Sequence, residues 1–274
     1  MDHTKDQSSI SRTEHNEATR ERRKLPSPQF KNSNSTQNKI MDDDPNLHQG
    51  RKRSQAHVEG NWLTHVFIPI NLNQNFQKIL NAIIAKLNQI PDSKTWYSLI
   101  DDNLAAQDKK KTEISLHLSL TRPIYLKTNE RREFHEQLKK AIMDVELFEI
   151  YFANCATLSN DEHTRGFLVL EVGNGHFLLM NLLERVNSIL DQFCLPKYYE
   201  FPRFHISFGW CLMNPSEKSK NDIPSSSGFI PEKVLQTIND DITMNDIRKT
   251  SWEVNDVNLT IGKTTHKICL KSQT

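Results

Sequence analysis

The sequence predicts an α+β fold in which two similar lobes face a common cleft. Two observations lead to this fold class. After a first strand, the predicted elements follow the order helix, strand, helix, strand, strand, and the same order then begins again. In each series one strand carries the triplet His-x-Ser at a matching place, and the two histidines are 88 residues apart. An internal repeat of this kind indicates a duplicated domain with one cleft between its halves.

Composition and charge exclude several classes of protein. The chain has 274 residues, 36% of them hydrophobic, and 35 Lys and Arg against 34 Asp and Glu give a net charge of +1. This balance argues against nucleic-acid binding through a bulk positive field, although a local patch remains compatible with it. No stretch approaches the about 20 apolar residues that a membrane-spanning helix needs, so we expect no membrane association.

The composition changes near residue 60, which predicts a domain boundary. Only ten of the first 59 residues are hydrophobic, and this segment contains basic clusters at 20–24 and 51–53. So little apolar surface cannot offset the chain entropy lost on folding. We therefore expect a disordered polar and basic tail over 1–59 and a folded two-lobed domain over 60–274. The clusters fit either a nuclear import signal or RNA contact, or simply a solvated tail.

The first series begins with a predicted strand over 62–70. An amphipathic helix follows over 75–90 and is ended by Pro91. Strict alternation of polar and apolar residues predicts a strand over 114–122. The next helix is expected to use Thr128 or Asn129 as its N-cap, and two apolar runs then predict strands over 148–156 and 166–172.

The second series repeats this order. Apolar residues recur at helical spacing from Leu179 to Phe193, and a strand is predicted over 203–212. A polar surface loop over 214–228 and a short helix over 231–242 follow. The chain is predicted to close with a β-hairpin that turns at Gly262 and Lys263.

The two His-x-Ser triplets are the candidates for chemistry. Strand side chains point alternately to opposite faces, so His117 and Ser119 share one face of their strand, and His205 and Ser207 share one face of theirs. Chance alone supplies between one and two triplets of the form His-x-Ser or His-x-Thr in a chain with eleven histidines. Both histidines could also be half-buried and hydrogen-bonded to neighbours. Their matching places in the repeat favour a functional pair.

Four segments carry a closer resemblance, which extends over nearly all of 60–274. They resemble segments of the U6 small nuclear RNA phosphodiesterase family, within the two-histidine phosphoesterase superfamily. The resemblance implies that superfamily's bilobal fold, with two antiparallel sheets forming a central cleft and helices outside. It also implies a 3′ to 5′ RNA exonuclease that trims the uridine-rich 3′ end of U6 small nuclear RNA. The segments are GNWLTHVFIPI (60–70), SLHLSLTRP (115–123), TRGFLVLEV (164–172) and KYYEFPRFHISFGW (197–210).

A pair of histidines facing a phosphodiester is suited to proton transfer, because the ordinary pKa of His lies near 6.5. One would take the proton of the ribose 2′-OH as this attacks phosphorus, and the other would protonate the departing 5′-oxygen. Ser119 and Ser207 would donate to the nonbridging phosphate oxygens. The resemblance implies His205 as base and His117 as acid, while the residues alone leave the roles open. The product would be a 2′,3′-cyclic phosphate or, after ring opening, a 3′-phosphate.

The resemblance also implies that Tyr199 stacks on the terminal base of the RNA, although Tyr199 could instead pack before its strand. Arg203 is a candidate for a phosphate contact. Arg122 is a weaker one, because alternation places it on the apolar face of its strand.

The other histidines of the domain lack the paired context and are expected to be ordinary surface or packed residues. They are His65, His135, His163, His176 and His266. The chain contains no H-E-x-x-H, P-loop or G-x-G-x-x-G motif, so we expect no metal and no nucleotide cofactor. Its four cysteines form no C-x-x-C pair and are expected to be reduced thiols of an intracellular protein.

We therefore expect a nuclear, monomeric enzyme whose partner is the 3′ end of a single-stranded RNA. Two alternatives stay open at this point. One is another two-histidine phosphoesterase that acts on small cyclic nucleotides, and the other is an RNA-binding module that does not catalyse.

Overall fold

The computed structural model describes residues 58–91, 93–100, 114–213 and 230–272. All of them belong to one unit of the chain, residues 45–274. The tail expected over 1–59 falls almost entirely outside the described residues, and the polar loop expected over 214–228 falls wholly outside them.

The described chain contains ten strands and five helices, and most of them lie where the sequence predicts. In the first part these are β1 (Asn61–Leu72), α1 (Gln74–Asn88), β2 (Tyr97–Ser98), β3 (Ile114–Ser119), β4 (Ile124–Lys127), α2 (Arg131–Ile142), β5 (Phe148–Ser159) and β6 (Arg165–Val172). In the second part they are α3 (His176–Gln192), β7 (His205–Leu212), α4 (Glu232–Asp240), α5 (Ile242–Lys249), β8 (Ser251–Val254), β9 (Asp256–Ile261) and β10 (Thr264–Cys269).

The strands form two antiparallel half-sheets joined at the centre of the molecule. The order is β10-β9-β1-β3-β7-β6-β5-β8, with β4 paired to β1 and β2 paired to β7. The two halves meet where β3 pairs with β7 at Leu118 and Ile206. The two predicted sheets are thus halves of one continuous sheet, and the two His-x-Ser strands are its central neighbours.

The halves of the sheet do not coincide with the two series read from the sequence. The closing hairpin β9-β10 pairs with β1 in the first half, while β5 and β6 lie beside β7 in the second half. The hairpin turns at the predicted place, where Gly262 adopts a φ of 60°. That left-handed conformation favours glycine.

One face of the sheet is buried and the other carries the candidate site. Along β1, every second residue from Val66 to Leu72 is buried. Helix α1 begins after Asn73, whose side chain accepts from the Phe76 N–H, and it buries the predicted apolar stripe from Phe76 to Leu87. The helix therefore lies where the spacing of apolar residues predicts.

Two helix ends differ from the prediction. Glu130, rather than Thr128 or Asn129, precedes α2. Thr128 Oγ1 instead accepts a hydrogen bond from Trp62 Nε1 at 3.0 Å. This bond connects Thr128 to the start of β1. The single helix predicted over 231–242 is two helices, because the extended residue Asp241 separates them and accepts from the Thr243 N–H. Among the described helices, none is long and apolar enough to span a membrane.

Candidate active site

The pairing of β3 with β7 brings the two His-x-Ser triplets together. Leu118 lies opposite Ile206. Residues on either side of a pair in an antiparallel ladder face each other in reverse order. His117 is therefore opposite Ser207, and Ser119 is opposite His205. Each imidazole faces the hydroxyl of the other triplet.

All four polar side chains point to one face of the sheet. Leu118 and Ile206 are fully buried on the other face, and neighbouring residues of a strand point away from each other. The four side chains all retain some solvent access. The two histidines thus share one open face as diagonal neighbours, as alternation and the repeat predict.

The backbone determines the tautomer of His205. Its Nδ1 lies 2.6 Å from the carbonyl oxygen of Arg203. A carbonyl only accepts hydrogen bonds, so Nδ1 carries the proton and Nε2 presents a lone pair. Burial lowers the pKa of His205, although the Arg203 carbonyl and the Glu171 carboxylate oppose the shift. A neutral imidazole with a free Nε2 lone pair is suited to act as a base.

His117 is surrounded by aromatic rings. Its ring centroid lies 5.1 Å from that of Phe67 and 5.7 Å from that of His65, the latter edge to face. His117 is accessible to solvent on this face of the sheet, but the packing around its ring withdraws water and lowers its pKa.

His65 is the residue of the site that the sequence interpretation missed. Its Nε2 lies 3.0 Å from Ser119 Oγ, and its ring stacks on Phe67. Burial, with a smaller contribution from His117, lowers the pKa of His65 to about 4. His65 is thus packed, which is one of the two expectations stated for it, and it also contacts Ser119 of the first triplet, which the sequence does not predict. Leu63, Phe67 and Pro69 lie on the same face of the strand, so no alternation of polar and apolar residues marks His65 in the sequence.

Ser207 has a different environment from Ser119. In β6 its register partner is the apolar residue Val169, next to an irregularity in the pairing after Leu168. The two serines therefore occupy matching places in their triplets but have unlike neighbours.

Tyr199 lies in the approach to β7 with 40% of its surface exposed. The Arg122 guanidinium covers its ring at 4.1 Å from the centroid, and its hydroxyl donates to Asp161 at 3.0 Å. An ion pair of 3.6 Å between Arg122 and Asp161 completes the group. These contacts thus fix the position of the Tyr199 ring, and part of the ring stays exposed to solvent. β3 ends at Ser119, so its alternation does not extend to Arg122.

Arg203 lies next to His205 but is already engaged. Its Nε donates to Glu171 Oε1 at 2.6 Å, and Glu171 lies directly opposite His205 in the ladder. The structure therefore gives Arg203 an ion pair as well as the backbone contact with His205.

The remaining histidines lie apart from the triplets. His135 of α2 stacks on His266 of β10, with 4.4 Å between ring centroids. His163 contacts Ser159, and His176 packs against Phe204. Within the described ranges, no three His, Cys, Asp or Glu side chains are grouped closely enough to hold a metal ion.

Comparison with known proteins identifies relatives of the chain. The HVSL family model, described as an uncharacterised conserved protein, matches residues 23–269. The U6 snRNA phosphodiesterase 1 of Rattus norvegicus is 28% identical over 171 residues, which cover 62% of this chain and 58% of the relative. The chain thus matches less than two thirds of that relative's length. The resemblance stated from the sequence is confirmed by these relatives.

Two solved structures share the fold. The structure of Kluyveromyces marxianus Usb1 matches with a TM-score of 0.55 at 12% identity, covering 76% of this chain and 98% of that one. The same protein with uridine monophosphate matches with a TM-score of 0.54 at 13% identity, over 76% of this chain and 98% of that one. At this identity the likeness shows the fold alone, and it confirms the predicted two-histidine phosphoesterase fold.

Proposed function

This chain belongs to the HVSL family, and from that premise we propose that it is an RNA phosphodiesterase that shortens the 3′ end of a single-stranded, uridine-rich small nuclear RNA. The observation that carries the proposal is the crossed arrangement of the triplets, in which Ser207 lies opposite His117 and Ser119 lies opposite His205. The names of the relatives and the uridine monophosphate bound by Usb1 point to the same substrate class.

His205 is the base of the proposed reaction. Its Nε2 lone pair, left free by the Nδ1 contact with Arg203, accepts the proton of the ribose 2′-OH. The 2′-oxygen then forms a bond to the adjacent phosphorus. The geometry supports the role that the family resemblance implies for this residue.

His117 is the acid. As the bond between phosphorus and the 5′-oxygen breaks, that oxygen takes a proton from His117 and leaves as a hydroxyl. The products are an RNA shortened by one residue, which now ends in a 2′,3′-cyclic phosphate, and the released terminal residue with a free 5′-hydroxyl. Water can then open the ring to a 3′-phosphate if the two histidines exchange roles. The protons balance, because one histidine gains what the other loses.

Ser119 and Ser207 donate hydrogen bonds to the nonbridging oxygens of the phosphate. Donors that are already oriented before the reaction contribute about 3 kcal/mol each in comparable sites. Arg122 covers one face of the Tyr199 ring, and Tyr199 offers the open part of that ring to the terminal base.

The proposal is tested with an oligouridine labelled at its 5′ end. The wild-type protein should produce a ladder of products shortened from the 3′ end, and EDTA should leave the rate unchanged. His117→Ala and His205→Ala should each lower the rate by about 10²- to 10⁴-fold. His266→Ala, on the outer histidine pair, is the matched control and should cleave like the wild type.

Full activity in either triplet variant would refute the assignment. Cleavage of a mononucleoside cyclic phosphate but not of the oligomer would instead indicate a small-nucleotide phosphodiesterase, and binding without cleavage would indicate an RNA-binding module. Mass spectrometry of the 3′ terminus of the shortened oligonucleotide distinguishes a cyclic phosphate from a 3′-phosphate.

The proposed substrate implies a nuclear protein, and the basic clusters at 20–24 and 51–53 are the candidates for its import signal. A fluorescent fusion of the full chain should accumulate in the nucleus. Exclusion from the nucleus would contradict this part of the proposal.

A further inference from the structure

The first triplet has a partner that the second lacks. His65 Nε2 lies 3.0 Å from Ser119 Oγ. Both serines have an apolar register partner in a neighbouring strand, Phe67 for Ser119 and Val169 for Ser207. Within the described part of the chain, a hydrogen bond to a third histidine is present at Ser119 and absent at Ser207. It distinguishes two residues that the sequence presents as equivalent.

A serine hydroxyl has one hydrogen to donate and two lone pairs to accept. If Ser119 donated its hydrogen to His65, it would have none left for a phosphate oxygen. If His65 donates from Nε2, Ser119 accepts that bond and keeps its own hydrogen for the substrate. With a phosphate oxygen in the cleft, only the second arrangement satisfies every group in the series from His65 to Ser119 to phosphate. Such a series also strengthens each bond by polarisation.

We propose that His65 is a positioning residue that acts through Ser119: its Nε2–H donates to Ser119 Oγ and directs the serine hydrogen to the phosphate. This inference rests on the proposed function. His65 touches neither the attacking nor the leaving oxygen, so its effect on the reaction passes through the serine.

The environment of His65 suits this task. Its ring is held between neighbours, stacked on Phe67 and edge to face with His117. Burial and the proximity of His117 lower the pKa of His65 to about 4, so the ring is neutral at neutral pH. A neutral ring can donate from one nitrogen without placing a second positive charge beside His117.

The test is a double-mutant cycle on oligouridine cleavage, with kcat and KM measured separately. His65→Phe keeps a ring but removes the donor, and it should lower kcat about tenfold with little change in KM. His65→Gln restores an N–H near the position of Nε2 and should recover most of that loss. In the Ser119→Ala background, His65→Phe should have less than about a twofold further effect, because the serine through which it acts is absent.

Two controls separate this role from simple support of the fold. His266→Gln should leave kcat unchanged, and Ser207→Ala combined with His65→Phe should show the product of the two single effects. Thermal unfolding of each variant shows whether it is folded at the assay temperature.

Three outcomes would overturn the inference. They are a His65→Phe variant as active as the wild type, equal effects of His65→Phe with and without Ser119, and failure of His65→Gln to recover activity while the protein is folded. A wild-type protein that leaves the RNA intact refutes the proposed function itself, and the inference with it. Cleavage by the wild type that depends on Ser119 but not on His65 refutes the inference alone.

Discussion

Ser119 lies opposite His205 at the junction of the two half-sheets, although 86 residues separate them along the chain. The pairing of Leu118 with Ile206 produces this relationship, because it brings the polar residues on either side into register. The packing of Leu118 and Ile206 thus positions the imidazoles and hydroxyls on the opposite face of the same strands. Packing at this junction and the arrangement of the polar groups on the open face are therefore linked.

Shortening a side chain at the junction should destabilise the fold. Leu118 is fully buried, so Leu118→Ala removes buried methyl groups and leaves a cavity, which costs about 2–5 kcal/mol of the free energy of unfolding. Leu63→Ala is the control, because Leu63 is 50% exposed and should change stability by less than about 0.5 kcal/mol. Urea unfolding measures both. Equal effects of the two variants would show that the junction does not carry the stability ascribed to it.

The pH dependence of cleavage should follow from His117 and His205, the proposed acid and base. Burial lowers the pKa of both His117 and His205 below the ordinary value of 6.5. The base must be neutral and the acid protonated, so kcat/KM should rise through one lowered pKa and fall through the other. The maximum of kcat/KM should therefore lie below about pH 6.5. A profile that still rises above pH 7.5 would contradict these environments.

His65 should make the fold less stable in acid. Its pKa is about 4 in the folded protein and near 6.5 when unfolded, so the unfolded state binds more protons between these values. Stability from this residue is fully present above pH 6.5 and is lost as the pH falls toward 4. The loss between pH 7.5 and 4.5 should be on the order of 2 kcal/mol.

The measurement compares urea unfolding of the wild type and of His65→Phe at these two pH values. His117 and His205 remain in both proteins, so the difference between the two proteins isolates His65. An identical pH dependence in wild type and variant would mean that His65 is charged as readily in the folded protein as in water.

Substrate binding should depend on the ring of Tyr199 more than on its hydroxyl. In a His117→Ala background, which prevents cleavage, Tyr199→Ala should weaken oligouridine binding by about 5- to 150-fold, the range for loss of one stacked base. Tyr199→Phe loses only the bond to Asp161 and should bind nearly as well as its parent. Fluorescence anisotropy with a labelled oligomer measures the three affinities.

Phe177→Ala is the control for this experiment, since Phe177 is an aromatic residue on α3 with 74% of its surface exposed. It should leave the affinity unchanged. Equal losses for Phe177→Ala and Tyr199→Ala would indicate nonspecific contacts with exposed rings rather than a stacking site at Tyr199.

Local patterns in the sequence predict most elements and the shared face of each His-x-Ser triplet. The alternation that places His117 with Ser119, and His205 with Ser207, is a property of each strand alone. The stripe of α1 and the turn at Gly262 are equally local. Short elements were harder to predict, since β4 has four residues and the break at Asp241 depends on one capping side chain.

Strand alternation alone therefore predicts which strand faces carry the imidazoles and hydroxyls of the two triplets, because it needs no knowledge of neighbouring strands. The residues that these imidazoles and hydroxyls contact depend on the tertiary fold. Pairing of β1 with β3 brought His65 to Ser119, and the Arg203 carbonyl selected the tautomer of His205. Register between strands distant in the chain depends on how their buried faces pack together, which no local pattern records.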